Sequence, residues 1–150
     1  FEIVGPTSAY FGEKDFQQLM VVNELVKRHQ FPVEIVACPT IRQIDGLALS
    51  SRNVYLTEEQ RADAPVLYRA LMEGAESVRC GEKKSENLKK LISDIVINES
   101  KGDLDYVGVV DSETFTQLDS VLESGKQVRI LIACNFGDAR LIDNIGVVIP

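Results

Sequence analysis

The sequence predicts an α/β chain in which the closing strand–helix–strand unit of a doubly wound domain is followed by a small α+β domain with a three-stranded antiparallel sheet. Three observations lead there. Residues 16–26 carry an apolar helical period, and a nearly all-apolar run, Val33-Glu34-Ile35-Val36-Ala37-Cys38, follows soon after. A strand of that composition is usually covered on both faces, as in a parallel sheet. Further along, two amphipathic helical segments precede three strand-like ones, an order that suits a separate α+β domain. These patterns divide the chain into residues 1–41 and 42–150.

Phe1-Glu2-Ile3-Val4-Gly5-Pro6 reads as the tail of a strand entering a turn at Gly5-Pro6-Thr7-Ser8. A domain rarely begins at the end of a strand, so a further segment upstream is expected. A loop is then expected through Phe11-Gly12-Glu13-Lys14-Asp15. Phe16, Leu19, Met20, Asn23 and Val26 follow the i, i+3, i+4, i+7 rule, with Asn23 alone breaking the apolar face. Glu13 and Asp15 stand near the start of this helix and Lys27, Arg28 and His29 near its end, both suited to the helix dipole. Phe31-Pro32 is expected to stop it.

Residues 39–53 have no period and contain Asp45-Gly46 and Ser50-Ser51-Arg52-Asn53, which makes them a loop and the expected interdomain connection. Thr57 followed by Gln60 has the form of a capping box, and Pro65 restarts the helix in its first turn. Val66, Leu67, Ala70, Leu71, Ala75 and Val78 supply an apolar face, closed by Gly81. Ser85 is expected to cap another helix with Leu88, Leu91, Ile92, Ile95 and Val96 on its inner side. Strands are expected at residues 105–110, 128–133 and 141–149, with a short helical stretch over 115–122.

Composition narrows the function classes. A net charge of −7 with a pI near 4.8 leaves no basic stripe to neutralise nucleic-acid phosphates, although a small phosphate ligand needs only one or two placed cations. No apolar stretch approaches the roughly 18 residues of a membrane helix. The three cysteines, Cys38, Cys80 and Cys134, are widely spaced and unpaired in pattern; two lie in apolar runs as small buried thiols. A reducing cytoplasm suits them. No signal peptide is visible at the start of the sequence.

Two clusters carry the chemistry. Phe11-Gly12-Glu13-Lys14-Asp15-Phe16-Gln17-Gln18 lies where a strand hands over to a helix N-terminus, the place at which doubly wound folds hold ligands. Gly12 allows close backbone approach, Lys14 offers an ammonium, and Asp15 can accept from sugar hydroxyls. The same residues would equally serve as a solvated helix start. Asp45-Gly46-Leu47-Ala48-Leu49-Ser50-Ser51-Arg52-Asn53 packs two hydroxyls and a forked guanidinium into one turn, a donor set for an anion. Its bland alternative is a polar linker with Arg52 as a cap.

Taken together the two clusters resemble the ATP-binding signatures of the pantothenate synthetase (pantoate–β-alanine ligase) family, on FGEKDFQQL and DGLALSSRNVYLTEEQR. The likeness continues through Ala64-Pro65-Val66-Leu67-Tyr68 and returns at Gly137-Asp138-Ala139-Arg140-Leu141-Ile142-Asp143-Asn144. It implies a Rossmann-like nucleotidyltransferase domain of the HIGH-motif superfamily over residues 1–41 and a C-terminal lid domain over 42–150. It also implies an AMP-forming ligation of pantoate with β-alanine through pantoyl adenylate, on the route to coenzyme A. By the same analogy Lys14, Ser50 and Arg52 are catalytic contacts to the ATP phosphates, with Ser51 beside them. Gly12 and Asp15 hold ribose, Ile41 and Leu49 line adenine, and Gln18 reaches a pantoate hydroxyl. Mg²⁺ is implied as ATP's partner with no protein ligands, and the whole enzyme is implied to be a homodimer.

One departure matters. The family's paired histidines, its HxGH motif, have no counterpart here, because the chain's one histidine, His29, falls at a helix end. The resemblance therefore points to a C-terminal portion that is inactive alone. Two other readings compete: another adenylyl- or cytidylyl-transferring enzyme of the superfamily, which testing pantoate against other carboxylates would separate, and a non-catalytic binding module, which ATP titration would separate.

Overall fold

The computed structural model describes residues 1–120 and 122–150. The chain forms two compact units, Phe1–Ile41 and Arg42–Pro150.

The first unit is β1 (Ser8–Gly12), a 3-10 turn (Glu13–Asp15), α1 (Phe16–His29) and β2 (Glu34–Cys38). The strands pair in parallel, from Ser8↔Glu34 to Gly12↔Cys38, so the unit is strand–helix–strand. Its opening strand lies later than the sequence suggests. Residues 2–4 form a turn, with the Gly5 amide donating to Phe1 O at 2.8 Å and Gly5 at φ 58°. Ile3 and Val4 are β-branched but 99% and 81% exposed, so propensity without burial does not make them a strand. The expected loop through Phe11 is instead the end of β1. β2 is less covered than an apolar parallel strand would be: none of its residues is fully buried.

Along α1, Phe16 and Leu19 are buried. Asn23, the polar break on that face, is accommodated by donating from Nδ2 to Leu19 O at 3.0 Å. Lys27, Arg28 and His29 occupy the last turn as expected. Gln30, and not Phe31-Pro32, ends the helix: it takes a left-handed conformation, φ 54°, and its N–H caps Lys27 O and Val26 O.

The second unit contains α2 (Glu58–Asp63), α3 (Val66–Arg79), α4 (Ser85–Glu99), β3 (Asp103–Asp111), β4 (Gln127–Phe136) and β5 (Ala139–Val148). The strands form an antiparallel meander in the order β3-β4-β5. One layer of helices packs on this sheet, and the six apolar residues expected on α3 are all buried. They meet Leu88, Ile92 and Val96 of α4 and Val109, Ile130, Ile132, Cys134 and Phe136 of the sheet. Gly74 lets the helices close: a Cβ there would stand 2.6 Å from Ile92 Cδ1. The capping box is present, with Gln60 N–H donating to Thr57 Oγ1 and Thr57 N–H donating to Gln60 Oε1.

Three local expectations fail for physical reasons. Ser85 is not a cap: Lys84 holds that position, and the Ser85 hydroxyl is buried without a hydrogen bond among the described residues. Leu91 lies outside the buried stripe at 37% exposure. The helical stretch over 115–122 is absent among the described residues; position 121 lies outside them. There the Asp111 carboxylate accepts from the Glu113 and Thr114 amides at 2.9 and 2.8 Å, and Phe115 adopts φ 59°. That turn sends the chain back along β3, where Leu118 N–H donates to Val109 O at 2.8 Å.

Among the described residues no helix is long and apolar enough to cross a membrane. The thiols differ sharply: Cys80 is exposed, Cys38 half-buried and Cys134 buried. Burial, aided by the negative charges of Asp103 and Asp105, pushes the Cys134 thiol up to about 11. At pH 8 a thiol-specific reagent should label Cys80 rapidly in the native chain and reach Cys134 only after denaturation. Equal labelling rates for the two would contradict this packing.

Candidate functional site

In the first unit the candidate residues follow one another around the end of β1. Gly12 is the last residue of that strand, Lys14 the middle of the 3-10 turn, and Asp15 the residue from which α1 starts. Gly12 has φ −71° and ψ 132°, a backbone any residue adopts. A Cβ on it would meet nothing within 4 Å. The chain's own packing therefore does not require glycine; the open space suits close approach by a ligand. No side chain caps the start of α1, and the positive end of the helix dipole favours negative charge there. Asp15 and Gln18 are exposed and Lys14 is half-buried. Ile41, at the end of this unit, is 66% exposed.

The second unit presents its cluster as a short 3-10 turn, Ser51–Tyr55. Ser50 initiates it: its Oγ accepts from the Arg52 amide at 3.2 Å, and its carbonyl accepts from the Asn53 amide at 3.1 Å. Asn53 Nδ2 donates to Ala48 O at 3.1 Å, tying the end of the turn to its entry. Ser51 and Arg52 are exposed, and the Arg52 guanidinium makes no hydrogen bond or ion pair among the described residues. Leu49 is 51% exposed. Arg52 is therefore no cap; it projects a forked donor outward from a fixed turn.

The segment leading into this turn is not a loose connection. Arg42 bridges Ala48, Gln43 N–H donates to Leu47 O at 2.9 Å, and Gly46 N–H donates to Gln43 O at 2.9 Å. Asp45 Oδ1 accepts from the Leu47 amide at 3.1 Å, and its Oδ2 lies 2.6 Å from Arg61. Desolvation raises the Asp45 pKa, but the Arg61 side chain and the Leu47 amide outweigh it and the net shift is downward. Gly46 is needed: its φ is 90°, and a Cβ would stand 2.3 Å from Tyr68 Cδ1.

Sequence reasoning missed Arg42, Tyr68 and Asp143 as a group. Arg42 Nη1 donates to Asp143 Oδ2 at 2.5 Å and Nη2 to Oδ1 at 2.9 Å. Its guanidinium also lies 4.0 Å from the Tyr68 ring centroid. The available signal was Asp143 itself, an acid that with Asn144 interrupts the apolar run Leu141-Ile142-Asp143-Asn144-Ile145, since a buried carboxylate calls for a cationic partner. His29, the sole histidine, is exposed and stacks on Phe31 with centroids 5.6 Å apart. Among the described residues no group of three or more His, Cys, Asp or Glu is placed to hold a metal ion.

The chain is an α/β protein whose first unit carries Lys14 in the turn after a parallel strand and whose second unit carries the Ser50–Arg52 turn. The sequence profile of the family described as Pantoate-beta-alanine ligase matches residues 1–146, and the chain belongs to that family. It is 47% identical over 144 residues to the pantothenate synthetase of Chloroflexus aggregans, covering 96% of this chain and 51% of that one. The pantothenate synthetase structure from Thermus thermophilus superposes with a TM-score of 0.87 at 44% identity, over 97% of this chain and 51% of that chain. The pantoate-beta-alanine ligase of Francisella tularensis, solved in complex with beta-gamma ATP and beta-alanine, matches with a TM-score of 0.64 at 33% identity, over 96% of this chain and 45% of that one. The chain thus spans about half the length of the relatives it matches.

Proposed function

We propose that this sequence is the C-terminal half of a pantoate–β-alanine ligase, ending a Rossmann-like, doubly wound domain at residue 41 and forming a lid domain over residues 42–150. The family match over residues 1–146, with both cationic segments retained, carries the reading. In it the pantoate carboxylate attacks the α-phosphorus of ATP, forming the acyl phosphate bond as the bond to the β-phosphate oxygen breaks and pyrophosphate leaves. The neutral amine of β-alanine then attacks the acyl carbon, loses a proton, and displaces AMP.

This chain's part is positioning and fixed charge. Lys14, Ser50 and Arg52 hold the phosphates, with Ser51 adding a hydroxyl; no protein nucleophile is required, because charge spreading over phosphate oxygens is what needs stabilising. Gly12 and Asp15 receive the ribose, exposed Ile41 and Leu49 line the adenine, and Gln18 contacts a pantoate hydroxyl. Mg²⁺ accompanies the triphosphate and takes no ligand from these residues. The whole enzyme is proposed to be a cytoplasmic homodimer.

The test compares two proteins given ATP, Mg²⁺, pantoate and β-alanine. A longer chain joining this sequence to an upstream half should release AMP and form pantothenate only with pantoate present, and other carboxylates should fail. The 150-residue chain alone should form none, since His29 has neither the partner nor the placement to replace a histidine pair. Pantothenate synthesis by the short chain would overturn that division of the site.

A further inference from the structure

We propose that Asp143 is a positioning residue for the Ser50–Arg52 turn, acting through Arg42 and Gly46; the proposal rests on reading that turn as the phosphate-binding one. The geometry is a relay from the sheet to the loop. Asp143 sits on β5 with its side chain 3% exposed, facing Arg42 at 18%. Both carboxylate oxygens are engaged by the guanidinium, and Oδ1 also accepts from the Asn144 amide at 2.8 Å. Asn144 Oδ1 in turn accepts from the buried Arg129 Nε at 2.7 Å. The aspartate is therefore held in one orientation.

At its other end Arg42 Nη1 donates to Gly46 O at 3.1 Å, and Tyr68 lies against both the guanidinium and Gly46. Only Leu47, Ala48 and Leu49 separate Gly46 from Ser50. Leu47 and Ala48 are buried, and Asn53 closes the far side through Ala48 O. The turn that carries Ser51 and Arg52 is thus fastened at both ends, and the Arg42–Asp143 pair anchors the entering end to the sheet.

Stability alone is a poor reason for this pair. The core on which β5 packs is already apolar, and a buried ion pair commonly gives no more stability than apolar residues of similar volume. What the pair gives that apolar residues cannot is direction. Two parallel hydrogen bonds and a third to a backbone carbonyl fix where one loop lies, which an anion-binding turn needs to within fractions of an ångström.

The experiment separates direction from stability. In Arg42→Met/Asp143→Leu the urea midpoint should return close to that of the unaltered chain. Hydrogen exchange at the Gly46, Leu47, Arg52 and Asn53 amides should nevertheless be at least tenfold faster. The same double variant in the joined full-length enzyme should lose at least tenfold in kcat for ATP-dependent pyrophosphate release and raise KM for ATP, leaving KM for β-alanine unchanged. Arg42→Lys keeps the ion pair and the fold but loses the fork, and should show the same fast exchange and slow turnover. Recovery of exchange and kcat together with the urea midpoint, or unaltered exchange in Arg42→Lys, would overturn the proposal. Failure of the underlying reading would look different: the unaltered full-length enzyme would release no pyrophosphate from ATP, while the exchange pattern stood.

Discussion

Arg52→Ala in the joined full-length enzyme should lower ATP-dependent pyrophosphate release by about 10²–10³-fold, corresponding to about 3–4 kcal/mol of transition-state stabilisation, with Lys14→Ala losing a comparable amount. Arg52 makes the cleaner test. Its side chain is exposed, and the turn beneath it is held by backbone amides and by Ser50 and Asn53, not by the guanidinium. Removing the guanidinium should therefore leave the urea midpoint unchanged, so a fall in rate reports lost charge at the phosphates. Lys14 is half-buried within its 3-10 turn, so its variant needs a stability measurement beside the rate. If either cation binds ATP equally in ground and transition state, KM rises with little change in kcat; if it acts on charge that develops, kcat falls. Near-normal pyrophosphate release by either variant would remove that residue from the proposed site.

The elements that sequence alone made legible are those whose signal is local. The α3 stripe from Val66 to Val78, the Thr57–Gln60 box and the three late strands each occupy a few consecutive turns or residues, and all are present. What misled was local preference without burial. Ile3-Val4 has β-branched residues and no strand beside it, whereas Ser8-Ala9-Tyr10-Phe11-Gly12, with only its two aromatics favouring a strand, becomes one because β2 lies beside it. Asp111 turned an apparent helical stretch by capturing two amides. The candidate site divides in the same way. Lys14 and Ser50-Ser51-Arg52 stand out as cations and hydroxyls beside glycine-containing turns. Arg42 and Asp143, by contrast, lie 101 positions apart, and no local pattern joins them. Only the oddity of an aspartate in a mostly apolar strand hinted that a distant cation had to meet it.

Phe136→Ala should cost the second unit about 3–5 kcal/mol, the range for emptying a fully buried aromatic site. Phe136 closes β4, paired with Ala139 across the Gly137-Asp138 turn, and is 2% exposed. Its ring also lies against Gly102, where a Cβ would approach Phe136 Cε1 and Cζ to 2.9 Å. The residue thus joins three things that must fold together: the β4–β5 hairpin, the α4–β3 connection and the shared core. Alanine leaves a cavity among β-strand backbones that cannot collapse far, because the β4–β5 register is continuous from Gln127 to Phe136. A unit of this size has a total stability of about 5–15 kcal/mol, so the urea midpoint, followed by circular dichroism at 222 nm, should fall steeply with the slope unchanged. Leu91→Ala is the control: its side chain is 37% exposed, and its loss should be about 1 kcal/mol or less. If the two variants lowered the midpoint equally, the hairpin end would be uncoupled from the helices, and the single core described for this unit would have to be divided.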